Sequence, residues 1–128
     1  MVGARRGGIC AHYRSRAPGI WQAADKIVYS KSLETVSTPK TRLEREFDPQ
    51  VVRDLKPQLP HDVSVGGPAF AAHAIRAGLV DEYHLLVVRI MIGGGKRVLP
   101  SNVCVRLDLL DERRFTNGMV YLRYRTQA

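Results

Sequence analysis

The chain has 128 residues, a mass of 14.3 kDa and 45% hydrophobic residues, enough for one compact core and too short for two. Its 20 Lys and Arg against 12 Asp and Glu leave a net charge of +8, which favours nucleic acid, phosphorylated metabolites or an anionic membrane without choosing among them. The basic residues are scattered rather than run together, no apolar stretch approaches the roughly 20 residues of a membrane helix, and the first turns of chain lack a signal-peptide core; a cytoplasmic protein without a DNA-gripping tail is expected.

Residues 1–18 are rich in Gly and Arg, contain no acidic residue and show no hydrophobic period, so they read as an irregular segment before a domain over 19–128. Ile20-Trp21 suggests a short helical turn. Lys26-Ile27-Val28-Tyr29 is β-branched and aromatic enough for a strand, which Ser30-Lys31-Ser32 closes with two hydroxyls and a cation. A second extended piece is expected at Thr41-Arg42-Leu43. Asp48-Pro49 then opens a helix by the N-cap and first-turn rules, with Val51, Val52 and Leu55 as its apolar face and Pro57 and Pro60 ending it.

A strand is predicted over 62–65, running through Gly66-Gly67 into a helix that begins at Pro68. Phe70, Ala71, Ala74 and Ile75 form that helix's apolar face, and Gly78 stands at its C-terminal glycine position. The next stretch, Tyr83-His84-Leu85-Leu86-Val87-Val88, is continuously hydrophobic, which predicts a central strand covered on both sides. Strand, crossover helix and strand together imply a parallel unit. At the C-terminus Asn117-Gly118 signals a hairpin, whose closing strand puts Val120, Leu122 and Tyr124 on one face and Tyr121, Arg123 and Arg125 on the wetter one.

Two glycine clusters carry the chemistry. Gly66 and Gly67 lack a Cβ, so a ligand can approach the main chain where the N–H groups of a helix start face an anion, and Pro68 fits the first helical position. Gly93-Gly94-Gly95 beside Lys96 and Arg97 permits a similar approach. Both patterns equally fit turns that bind nothing. Cys10 and Cys104 form no Cys-x-x-Cys, and His12, His61, His73 and His84 have no ligand spacing, so no metal centre is expected. Nor does a general acid stand out: Asp81 and Glu82 are placed in the loop before a strand, and Tyr29 in the core.

The ordered set Asp25-Lys26-Ile27-Val28-Tyr29-Ser30-Lys31-Ser32-Leu33, Val65-Gly66-Gly67-Pro68, Ala77-Gly78-Leu79-Val80-Asp81-Glu82-Tyr83, Gly93-Gly94-Gly95 and Phe115-Thr116-Asn117-Gly118 resembles the bacterial riboflavin-biosynthesis reductase C-terminal domain family, from about Ile20 to Arg125. The resemblance implies an α/β fold of the dihydrofolate reductase-like type: a mixed, mainly parallel sheet flanked by helices, with a C-terminal antiparallel hairpin. It implies an NADPH-dependent reductase acting on a pteridine-like or ribosylamino-pyrimidine substrate, with 5-amino-6-(5-phosphoribosylamino)uracil reductase activity. Ser30, Lys31 and Ser32 would meet the adenosine 2′-phosphate, Gly66, Gly67 and Pro68 the pyrophosphate, and Gly93, Gly94 and Gly95 the nicotinamide side. A homodimer is implied; nucleic acid is not expected as a partner because no recognised binding motif accompanies the charge, nor is a membrane, for want of a long apolar run.

Three departures qualify this. No counterpart of the family's opening strand and Ser-Leu-Asp-Gly-like segment is found, so the domain reads as N-terminally truncated. Val65 stands where many relatives place a substrate-contacting Glu. Arg89 interrupts the long apolar stretch and must reach solvent, a subunit interface or an acidic partner. The alternative to an enzyme is therefore a non-catalytic remnant that retains nucleotide binding or dimerisation.

Overall fold

A computed structural model describes residues 22–127; the irregular segment over 1–18 and the turn at Ile20-Trp21 lie outside the described residues. The chain forms two compact units, meeting in sequence between Ala71 and Ala72.

In the first unit β1 (Lys26–Tyr29) pairs in parallel with β2 (Thr41–Glu44), Lys26 opposite Thr41 and Tyr29 opposite Glu44. Main-chain bonds prolong the ladder at both ends, Lys26 N to Lys40 O at 2.8 Å and Ser30 N to Glu44 O at 3.0 Å. Lys26 is buried, but its ammonium is not stranded: Nζ donates to the Ala24 carbonyl at 2.8 Å. Helix α1 (Pro49–Leu55) starts as its sequence dictates, with the Asp48 carboxylate accepting from Gln50 N at 2.8 Å and Pro49 in the first turn. Its inward residue is Val52, 4% exposed. A 3₁₀ turn (Lys56–Gln58) containing Pro57 ends it.

Helix α2 (Pro68–Arg76) begins with the bond from Ala71 N to Gly67 O at 2.8 Å. It ends at Gly78, φ +65°, where Gly78 N donates to Ile75 O and Leu79 N to Ala74 O, both at 3.0 Å. These bonds satisfy late helical carbonyls, and the positive φ is why glycine stands there. Ala74, Ile75 and Leu79 are the buried apolar residues of the second unit.

The second unit is built on an antiparallel sheet of β3 (Glu82–Val87), β4 (Leu107–Arg114) and β5 (Val120–Thr126), in the order β3-β5-β4. β4 and β5 form the expected hairpin: Gly118 takes φ +85°, Phe115 N donates to Met119 O at 2.9 Å, and Met119 N to Asn117 Oδ1 at 3.1 Å. A register shift between Leu109 and Asp111 leaves Leu110 as an extra residue of β4. Val120, Leu122 and Tyr124 lie opposite Val87, Leu85 and Tyr83, as the alternation along β5 predicts.

The mixed α/β class stands, while the balance of strands differs from expectation. One pairing is parallel and two are antiparallel, so the described sheets are not mainly parallel. Residues 62–65 alternate exposed and half-buried as a strand would, yet carry no ladder. Alternation is a property of the segment, whereas a strand also needs a neighbour about 4.8 Å away offering N–H and C=O groups. β3 is an edge strand of the described sheet and β5 the central one, and Leu86 and Val87 are exposed where coverage on both sides was expected. Arg89 is exposed, and the requirement that it escape burial is met. Among the described residues no helix is long and apolar enough to cross a membrane.

Candidate cofactor-binding site

The hydroxyl-rich turn lies where the β1 ladder stops. Ser30 Oγ accepts from Ser32 N at 3.3 Å and Leu33 N at 3.1 Å, and its hydroxyl lies 3.4 Å from that of Ser32. A serine oxygen receiving the N–H groups two and three residues on folds the chain tightly on itself. Lys31 and Ser32 are exposed at the tip. From the end of β2, Arg45 donates to the carbonyls of Ser30, Lys31 and Leu33. Nothing in the pattern Thr41-Arg42-Leu43-Glu44-Arg45 announces this role, because the carbonyls it reaches lie 12 to 15 residues away.

Three rings hold this turn beside the start of α2. Tyr29, the residue before the turn, stacks on Phe70 at 5.1 Å and 15°, and Phe47 meets both edge-on, at 5.5 and 5.0 Å. Phe70 is in the first turn of α2, so the Ser30-Lys31-Ser32 and Gly66-Gly67-Pro68 segments flank one aromatic cluster within the first unit. Burial, then the nearby Glu44 carboxylate, pushes the Tyr29 phenol above its ordinary pKa against the opposing pull of Arg42, with Asp48 adding a smaller upward push. Tyr29 is thus a neutral packing residue.

Gly67 has φ +85°, and a Cβ at Gly66 or Gly67 would meet nothing within 4 Å. The glycine at 67 is therefore demanded by backbone conformation, and the space in front of both positions is open to a ligand. The described residues fit a phosphorylated dinucleotide: hydroxyls and two cations at one strand end, and a helix start with bare glycines beside the same rings. Gly93, Gly94 and Gly95 lie in the second unit; all three are exposed with open space where a Cβ would stand, and Gly95 has φ +135°. Among the described residues no three His, Cys, Asp or Glu side chains gather as a metal site would require.

Sequence reasoning passed over a polar network on the sheet of the second unit. Glu82 is the first residue of β3 rather than part of the preceding loop. Its carboxylate accepts from Arg123 at 2.8 and 2.7 Å and from Arg125 at 3.1 Å, and lies 3.4 Å from His84 Nε2. His84 Nδ1 is in turn 3.1 Å from the Tyr121 hydroxyl. Desolvation pushes the Glu82 carboxyl up, but hydrogen bonds from Arg123, Arg125 and His84 outweigh it and hold the pKa below the ordinary glutamate value. The wetter face assigned to Tyr121, Arg123 and Arg125 was the available signal, and the β3–β5 register completes it by placing Glu82 opposite Arg125.

A family model described as the RibD C-terminal domain matches residues 17–121. Among solved structures, a protein of Shewanella sp. PV-4 assigned to riboflavin biosynthesis is similar at TM-score 0.72 and 14% identity, over 83% of this chain and 62% of that one. A pyrimidine reductase-like protein of Corynebacterium diphtheriae NCTC is similar at TM-score 0.57 and 20% identity, over 70% of this chain and 40% of that one. The chain thus spans less than two thirds of the length of either structure, and the likeness establishes the fold. No match was found among curated proteins.

Proposed function

Because the chain belongs to the RibD C-terminal domain family, we propose that it is an NADPH-binding reductase whose substrate is a ribosylamino-pyrimidine or a pteridine-like ring, acting in the cytoplasm. The observation that carries this reading is the Tyr29–Phe70 stack at 5.1 Å, which ties the Ser30-Lys31-Ser32 turn to the helix start at Gly67-Pro68. Hydroxyls and a cation suit the 2′-phosphate, and the glycine-preceded helix start suits the pyrophosphate. NADPH supplies the hydride; the residues of this chain bind and orient it. Gly93, Gly94 and Gly95 are further proposed contacts of the cofactor. Titration of the purified chain with NADPH, followed by its absorbance in the presence of the aminouracil substrate, tests binding and turnover separately.

Val65 favours a second reading, binding without turnover. It precedes the glycine pair with an apolar side chain, and so brings no carboxylate to a substrate at that point. NADPH binding without oxidation of the cofactor on adding substrate would select this reading. A second copy of the chain is the proposed partner, since apolar Leu86, Val87 and Leu109 stand 49, 51 and 50% exposed on strands of the second unit. Sedimentation equilibrium is expected to give twice the 14.3 kDa chain mass, and the monomer mass would rule the dimer out.

A further inference from the structure

Arg45 directs its guanidinium at main chain. From one residue beyond β2, its Nη1 donates to Ser30 O at 3.3 Å, to Lys31 O at 3.5 Å and to the carbonyl of Leu33. The turn is thereby held from two sides. Ser30 Oγ gathers the N–H groups of Ser32 and Leu33, and Arg45 faces three carbonyls of the same turn. Lys31 and Ser32 remain exposed between these restraints, so their side chains project from a backbone that is fixed at each neighbouring residue.

We propose that Arg45 is a positioning residue for phosphate-monoester recognition. It holds residues 30–33 in the shape in which Ser30, Lys31 and Ser32 receive a dianion, and so sets the preference for a 2′-phosphorylated dinucleotide over the unphosphorylated one. This rests on the cofactor reading above and adds to it the residue that makes the turn selective. Two physical points support it. One guanidinium nitrogen, Nη1, faces all three carbonyls, and its N–H groups are held in the plane of a delocalised cation, whereas a lysine ammonium rotates freely on a flexible stem. Its charge also stays on the turn after the hydrogen bonds are made, so an anion arriving there meets Arg45 as well as Lys31.

The test is fluorescence titration of the full chain and of Arg45→Ala, Arg45→Gln and Arg45→Lys with NADPH and with NADH, with thermal melting of each protein. In all three variants the Kd for NADPH is expected to rise about tenfold while that for NADH changes by less than about twofold, since only the phosphorylated cofactor uses the ordered turn. A structural role alone would weaken both cofactors together. An unchanged NADPH to NADH ratio in Arg45→Ala overturns the proposal, and so does wild-type behaviour in Arg45→Lys, because charge without the planar guanidinium would then suffice. Should Arg45→Ala fail to fold, the Gln and Lys variants decide the question by the same ratio. If the unsubstituted chain binds neither cofactor, the cofactor reading falls and takes this inference with it; if it binds NADPH and only the variants behave as wild type, the inference alone falls.

Discussion

Gly67 separates backbone from ligand effects at a single position. Gly67→Ala introduces a methyl that meets nothing within 4 Å, but it forces an L-residue to φ +85°. That strain is about 1 kcal/mol, so the melting temperature is expected to fall by roughly 3–6 °C. Gly67→Asp carries the same strain and adds a negative charge before the helix start, and it is expected to abolish NADPH binding. Equal affinity in the two variants would show that no anion sits there. Glu82 offers a pH test. Its folded pKa is lowered, so its contribution to stability is present above the unfolded value of about 4.3 and is lost as pH falls through the lower folded value. Glu82→Gln is accordingly expected to melt below wild type at pH 7, with the gap closing as the pH is taken below that of an ordinary glutamate. A gap that persists unchanged at low pH would mean that packing, not charge, holds the pair.

Among the elements, those whose ends are written in local chemistry were the legible ones. Asp48-Pro49 opened α1, Gly78 closed α2 and Asn117-Gly118 turned β4 into β5, because caps and tight turns depend on residues within a few positions of one another. Asp48→Ala is expected to cost about 1 kcal/mol, read as a lower urea midpoint. Ile75→Ala, in the buried face of α2, is expected to cost about 2–4 kcal/mol by the same measurement. A loss under about 0.5 kcal/mol at Ile75 would show that the site is not a packed core position. Pairing was less legible. Residues 62–65 had a strand's alternation without a ladder, and the long apolar run around β3 suggested a central strand although β3 is at the edge. Which strand neighbours which is decided by contacts far apart in sequence, and the apolar run carries no record of them.

For the whole molecule, the candidate cofactor residues could be named from the order of motifs, whereas the groups that hold them in place could not. The Tyr29, Phe47 and Phe70 cluster joins three separate stretches of chain, and Arg45 reaches back to Ser30 across the β1–β2 connection. The reach of Arg45 becomes visible only when β1 and β2 are set in parallel register, and the cluster only when α2 brings Phe70 to Tyr29. Together these elements are proposed to seat NADPH. Fluorescence titration of the purified chain with NADPH tests it most directly: a saturable signal at one cofactor per chain is predicted, and a response that never saturates would contradict it.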